Sequence, residues 1–215
     1  NYKKINFYVN DFFSAKKIMK ITKKKFKIIT ALSVFYDAKN PNLFLLDVKK
    51  ILDDNGIFLL EFADLSSIIK YKMFDTICHE HLEYYSTKVI CNLTKKHKLR
   101  VFDIKQNDIN GGSKQFFICH DHAMIKSKEK KINKILIKEN TQKLDQISTY
   151  KKFIKVINTS KLQLEKKIKH LKKIGKIVHC YGASTKGNVL LQYYKLNNKL
   201  IDFAAERNKN KFKRT

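Results

Sequence analysis

From Ser127 to Ile174 the chain contains neither glycine nor proline, and Ile, Leu and Phe recur at helical intervals among lysines. With no helix-breaking residue and one apolar stripe to bury, this stretch is predicted to form one long helix or a helical pair. The patterns on either side of it are different. Before it, FKIITA (Phe26 to Ala31) is a β-rich run, and a turn follows at AKNPN. Leu43, Leu46 and Ile51 then recur at helical spacing, Asn55-Gly56 supplies a stop, and GIFLLEF is a second strand. A further helix is expected over Thr87 to His97. LRVFDI and KQFFICH come next, joined by NDINGG, and that Gly-Gly turn predicts antiparallel pairing at the sheet edge. After Gly175, KIVHCY reads as a buried strand, GASTKGN as a Gly-bounded turn, VLLQYYK as a helix start and LIDFAAERN as another strand. Strand, helix, strand in this order calls for a parallel sheet with crossover helices, so the fold class is α/β with an antiparallel last strand in its first sheet.

Charge bears on which partners to consider. The chain carries 46 Lys and Arg against 19 Asp and Glu, a formal net charge of +27. A basic nucleic-acid-binding module is one reading of that number. Yet only Arg100, Arg207 and Arg214 are arginines, and nucleic-acid readers favour Arg for bidentate contacts. Lysine spread round all faces reads better as a solvated surface, and no nucleic-acid partner is expected. The four cysteines form no C-x-x-C pair, and no long apolar run interrupts the chain. A reduced, cytoplasmic protein with no membrane partner is the expectation. Cys119-His120-Asp121-His122 holds metal-ligand types but lacks a second ligand pair at a usual spacing, so no metal is expected.

The stretch DTICHEHLEYYS, Asp75 to Ser86, concentrates titratable groups: His79, Glu80 and His81 stand in a row before Tyr84 and Tyr85. Loop and helix-cap residue types flank them, which places the triplet in a loop after a sheet strand. Open α/β sheets bind ligands outside the carboxyl ends of their strands. An imidazole suits proton abstraction near neutrality, and an adjacent carboxylate can orient it. A surface histidine pair with ordinary hydrogen bonds is the competing reading, and the H-E-x-x-H zinc spacing is absent. GASTKGN, between a strand and a helix, would offer backbone amides and a helix N-terminus to an anion, with Lys186 adding charge. Glu206 follows Gly187 at about the interval of a Rossmann acid, which keeps a nicotinamide-dependent oxidoreductase open as a further reading.

DTICHEHLEYYS, NDINGGS, YGASTKGN and AERNKNKF occur in one order along the chain. Together they resemble the sugar C-methyltransferase family. The resemblance implies a partial class I methyltransferase (Rossmann-like) sheet over residues 1–123, a helical linker over 124–174, and the beginning of a second Rossmann-like βαβ domain over 175–215. It implies S-adenosylmethionine as cofactor and methylation of a carbon next to the ketone of a nucleotide-linked deoxysugar. His81 corresponds to the family's base, with Glu80, His79 and Tyr84 beside it. Some members carry Tyr where this chain has Cys78, which leaves the enolate-stabilising group open; Tyr84 or Tyr85 could take that part.

In NDFFS, the family's adenine contacts fall on Asp11 and Phe12; the same residues also fit an N-cap Asp followed by core phenylalanines. ITALSVF implies contacts to the cofactor's methionine end from Ala31 and Ser33, with Phe35 and Tyr36 as wall or core. The substrate is expected at Gly111, Gly112 and Ser113, and at Gly182, Ser184, Lys186, Gly187, Glu206 and Arg207. The Gly-rich loop that follows the family's first methyltransferase strand has no counterpart here, nor do the cysteines of its N-terminal zinc domain. The chain is therefore expected to be a portion of an enzyme, binding cofactor weakly by itself, as a monomer or weak oligomer.

Overall fold

A computed structural model describes residues 7–182 and 184–206. In chain order the elements are α1 (Ala15–Ile21), β1 (Phe26–Leu32), α2 (Pro41–Ile51), β2 (Leu52–Phe62), α3 (Leu65–Tyr71), α4 (Thr87–Lys96), β3 (Leu99–Asn107), β4 (Ser113–His120), α5 (Glu129–Asn140), α6 (Ile147–Lys173), β5 (His179–Tyr181), α7 (Thr185–Tyr194) and β6 (Phe203–Ala205). Contacts divide the chain into two units, Asn1–Leu65 with Leu82–Gln142, and Ser66–His81 with Lys143–Thr215.

The first unit is built on a four-stranded sheet of order β1-β2-β4-β3. β1 and β2 are parallel, with Leu32 opposite Glu61. β4 runs antiparallel to both neighbours, with Glu61 opposite Gln115 on one side and Asn107 opposite Ser113 on the other. The carboxyl ends of β1, β2 and β3 therefore share one edge. The expected antiparallel pair stands at the sheet edge: β4 folds back between β2 and β3, and β3 is the outer strand of the pair. An apolar run such as KQFFICH gains more by burying both faces than by standing at an edge, and Lys114, Phe116, Ile118 and Cys119 are all buried.

Helix entry in this unit is encoded locally. Pro41 stands at the first helical position of α2, and the Asn40 side chain accepts a hydrogen bond from Leu43 N at 3.0 Å. Ser86 caps α4 in the same way, accepting from Val89 N at 3.3 Å. The α2 helix stops at Ile51, before the expected Asn55-Gly56. Leu52 already pairs with Phe26, and an irregularity in register takes up the extra residues before Ile57 pairs with Ile28. Asp53 holds that irregular turn by accepting from Asn55 N at 3.1 Å.

Phe35, Leu45, Leu52, Phe58, Leu60, Phe62, Phe116 and Ile118 form the centre of the core, each at most 1% exposed. Phe62 stacks on Phe116 with centroids 5.5 Å apart. Burying side chains of this size stabilises by about 1.5–3 kcal/mol each.

The second unit holds a smaller sheet in which β5 and β6 are parallel and α7 makes the crossover, the βαβ arrangement expected after Gly175. Its strands are three residues each, shorter than KIVHCY and LIDFAAERN suggest, and Arg207 lies outside the described residues. Asp202 fixes the entry to this sheet, accepting from Val178 N at 2.7 Å and pairing with Lys172 near the end of α6. The Gly- and Pro-free stretch is a helical pair, α5 in the first unit and α6 in the second. Among the described residues, no helix is long and apolar enough to cross a membrane.

Candidate functional site

At the shared carboxyl edge of the first sheet, β1 is followed by Ser33, whose backbone enters the left-handed region at φ 55°. Its amide donates to the Glu61 carbonyl at 2.8 Å. The turn between β3 and β4 reaches the same place, with Asn110 Nδ2 donating to Ser33 Oγ at 3.4 Å. Buried Glu61 organises the edge. One of its carboxylate oxygens accepts from Asn107 Nδ2 at 3.1 Å and from Gln115 Nε2 at 2.5 Å. Ser33 is thus tied to the Gly111-Gly112 turn, which joins two groups of residues selected separately in the sequence.

Within that turn, Gly112 is buried at φ 135°, a backbone conformation that residues with a side chain rarely adopt. Ser113 is fully buried and donates its hydroxyl proton to the Ile109 carbonyl at 2.9 Å, which holds the turn closed. Ala31 is 4% exposed and packs in the core. Asp11 and Phe12 lie before α1, not at its cap, which is Ser14. Asp11 pairs with Lys17, and hydrogen bonds from Lys17 and from the Phe12 amide hold its carboxyl below the usual range. Both residues line a groove of about 310 Å³ shared with Tyr8, Phe13 and Ile18. Phe12 is 87% exposed, so its ring face is open to a planar partner.

The residues after the HEH triplet also come to the carboxyl edge. Leu82 N and Glu83 N both donate to the Tyr36 carbonyl, at 3.0 and 3.1 Å, and Tyr36 lies in the 3-10 turn Phe35–Asp37 that follows β1. Tyr84 is half-buried; Tyr85 is buried against Phe35 and Phe62, and its hydroxyl has no hydrogen-bond partner among the described residues. Burial, with the Glu83 carboxylate adding to it, pushes the Tyr85 phenol up to about 12.

The triplet itself belongs to the second unit. It is a loop, as expected, but α3 and a 3-10 turn, Phe74–Thr76, separate it from β2. His79 and Glu80 are exposed, and His81 is half-buried, its amide donating to the Cys78 carbonyl at 3.2 Å.

In the same unit, the GASTKGN turn joins Tyr181 at the end of β5 to Thr185 at the start of α7, as predicted. Ser184 is the N-cap and accepts from Gly187 N at 3.1 Å. A Cβ at Gly187 would stand 3.2 Å from the Gly182 carbonyl oxygen, so glycine is what lets the helix begin this close to the turn. Gly182 N donates to the Ala205 carbonyl at 2.8 Å, which sets the turn beside the end of β6, one residue before Glu206. Lys186 is half-buried in the first turn of α7. Ala183 lies outside the described residues.

Several residues the sequence did not single out support these positions. Asn110 could have been found from its place beside Gly-Gly, since Asn adopts positive φ more readily than most residues, and it does so here at 57°. Glu61 and Gln115 carry no local signal; only the register of β2 against β4 brings them together. The ligand-type run near Cys119 brings the His120 and His122 rings to 5.2 Å. Among the described residues, no group of three His, Cys, Asp or Glu side chains could hold a metal ion.

Comparison with known proteins adds the family. The profile for the C-methyltransferase C-terminal domain matches residues 108–215, half of the chain, including the GASTKGN turn. The chain is similar to the C-methyltransferase NovU of Streptomyces niveus, 32% identical over 162 residues. That match covers 74% of this chain and 38% of NovU, so the chain spans well under half the length of its curated relative. Among solved structures it is similar to the methyltransferase in a complex with the Haloferax volcanii Trm112 methyltransferase activator, 12% identical over 46% of this chain and 56% of that one, with a TM-score of 0.39. A second is an SAM-dependent methyltransferase from Thermotoga maritima, 14% identical over the same shares, with a TM-score of 0.38. Scores this low carry no weight on function. The profile match over half of the chain identifies it as a member of the C-methyltransferase family.

Proposed function

We propose that this chain is part of an S-adenosylmethionine-dependent C-methyltransferase that methylates a carbon next to the ketone of a nucleotide-linked deoxysugar. The observation that carries the reading is the family match over the region holding the Gly-Gly and GASTKGN turns. The local geometry at Ser33 and Asn110 supports it, because the stretch expected to line the cofactor is hydrogen-bonded to the turn expected to meet the substrate.

The residues present fit the cofactor in kind. The Asp11 carboxylate, kept ionised by Lys17, can accept from an exocyclic amine, and the Phe12 ring is free to lie against a purine. Ser33 and the backbone at Ala31 would meet the methionine end. S-adenosylmethionine, when bound, supplies a methyl group made electrophilic by its sulfonium. His81 takes the proton from the carbon beside the ketone, which the carbonyl acidifies, and the electron pair moves onto the carbonyl oxygen to form an enolate. Glu80 orients or stabilises the protonated His81, while His79 and Tyr84 shape the loop around it. A positioned base of this kind contributes about 10²–10⁴-fold. Gly182, Ser184, Lys186 and Gly187 hold the substrate's diphosphate at the N-terminus of α7, and Glu206 meets its nucleoside end; Arg207, outside the described residues, is assigned to the substrate on the resemblance alone.

The test is methyl transfer itself. The complete protein is incubated with cofactor carrying a ¹³C methyl group and a nucleotide-linked keto-deoxysugar. The reading expects the label to appear on a sugar carbon adjacent to the ketone, seen as a carbon-bound methyl by NMR. Label on an oxygen, or no transfer to keto sugars at all, would contradict it.

A further inference from the structure

The chain segment that leads into the HEH triplet is packed against the far end of α7. Phe74 stacks on Tyr194 with ring centroids 5.1 Å apart and planes 13° apart, and lies 5.6 Å from Tyr193. Those two tyrosines are in the last turn of α7, whose first turn carries Ser184 as N-cap, Lys186 and Gly187. Both are themselves fixed. Tyr194 is 4% exposed and donates to Ser160 Oγ at 3.1 Å, while Tyr193 donates to Asn158 Oδ1 at 2.9 Å; both acceptors are on α6.

From Phe74 to His81 the backbone is closed by short turns. Ile77 N donates to the Phe74 carbonyl at 2.9 Å, and His81 N to the Cys78 carbonyl at 3.2 Å. On the other side, Thr76 N donates to the Met73 carbonyl at 3.2 Å and Met73 N to the Ile68 carbonyl at 3.0 Å, with Met73 and Thr76 both buried. A short run of hydrogen-bonded turns has little freedom once one residue is anchored. Phe74 is that anchor.

We infer that Phe74 is a positioning residue for His81: its stack on Tyr194 registers the base-bearing turn against α7, the helix proposed to hold the substrate's diphosphate at its opposite end. This rests on the proposed roles of His81 and of the GASTKGN turn. A ten-residue helix spans about 15 Å, a length suited to placing a base at a sugar ring while the helix N-terminus holds the phosphates. The stack would fix the proton-abstracting group relative to the substrate, whatever the cofactor's position. Misplacing a catalytic group by about 1 Å can cost on the order of 10²-fold in rate.

The experiment uses the complete protein with Phe74→Ala, Phe74→Tyr and, as a volume-keeping change without an aromatic face, Phe74→Leu. Two readouts are taken: amide hydrogen exchange across Asp75–His81, and incorporation of solvent deuterium at the substrate carbon beside the ketone. Expected for Phe74→Ala and Phe74→Leu is amide exchange faster by about tenfold or more over Asp75–His81, with α6 and α7 unchanged. Deuterium incorporation is expected to fall by about tenfold or more at saturating substrate, with KM held, and Phe74→Tyr is expected to restore both. Unchanged exchange over Asp75–His81, a rise in KM with turnover held, or failure of Phe74→Tyr to rescue would overturn the inference. His81→Ala in the same assay separates the two claims. If it retains wild-type incorporation, the base assignment falls and the positioning role with it; if it loses incorporation while Phe74→Ala keeps it, only the positioning role falls.

Discussion

Lys114 Nζ lies 2.7 Å from Asp64 Oδ2, and both side chains are buried. The same ammonium donates to Thr87 Oγ1 at 2.8 Å and lies 3.5 Å from Glu139, whose carboxylate accepts from the Thr87 and Lys88 amides at 2.8 and 2.9 Å. One buried lysine on β4 thus joins the second residue after β2, the entry of α4 and the end of α5. Asp64 and Thr87 bracket the excursion that carries the HEH triplet, and the Leu65 amide closes its neck by donating to the Tyr85 carbonyl at 2.9 Å.

Replacing Lys114 with Met should leave two buried carboxylates without their cation. Loss of one partner from such a group costs about 3–5 kcal/mol. Denaturant unfolding should therefore show a markedly lower midpoint for Lys114→Met, whereas an exposed change such as Lys130→Met should sit within about 0.5 kcal/mol of the parent. A midpoint for Lys114→Met equal to the parent's would mean that the network adds nothing.

Tyr85 presents the opposite case, a buried hydroxyl with no partner among the described residues. Tyr85→Phe removes an unsatisfied polar group while keeping the ring against Phe35 and Phe62. Stability should rise by about 1 kcal/mol, read as a higher melting temperature. If stability held but turnover of the complete protein collapsed, the hydroxyl would be acting on substrate, and Tyr85 would replace Tyr84 in the account.

Acid should loosen α5 from the sheet. Burial would raise Asp103, but hydrogen bonds from Lys128 and Lys131 and from the Ile104 amide outweigh it, and its carboxyl lies below the ordinary value. A folded-state value lowered in this way gives stability that is present above the unfolded value of about 3.9 and lost as pH falls through the folded one. Asp103→Asn should be less stable than the parent at neutral pH, with the gap closing at the acid end. A gap that stays constant with pH would show that the charge is not what holds α5.

Much of this architecture was legible because local chemistry and tertiary packing agreed. Ser86 announces a helix start, Gly111-Gly112 announces the β3–β4 turn, and Tyr181 to Thr185 changes from an apolar run to glycine to helical periodicity, whereas the expected turn at AKNPN already holds the N-cap and first residue of α2. The end of α2 was misplaced because Asn55-Gly56 is a true turn signal that serves an irregular strand and not a helix stop. The place of β4 inside the sheet and the Glu61–Gln115 pair depend on strand order, which spacing along the chain does not encode. The site motifs stood out by residue type, but what holds them did not: Lys114, Phe74 and Tyr194 look like ordinary surface or core positions until the fold brings their partners in.

Lys186→Ala should weaken binding of a nucleoside diphosphate to the complete protein by about tenfold, because one charge-assisted contact at a helix N-terminus is removed. Calorimetric titration reads this directly. Equal affinity in parent and variant would remove Lys186 from the substrate site.

His81 is proposed to remove a proton from the carbon beside the sugar ketone, and exchange of that proton with solvent deuterium, followed by NMR in the complete protein with substrate bound, reports on that step alone. In the parent the deuteron should enter at the carbon that becomes methylated. In His81→Ala entry should slow by about 10²-fold or more, while affinity for S-adenosylmethionine stays nearly intact, since the base acts in the transition state and does not hold the cofactor. Parent-like deuterium entry in His81→Ala would contradict the account and move the base to Glu80 or a tyrosine.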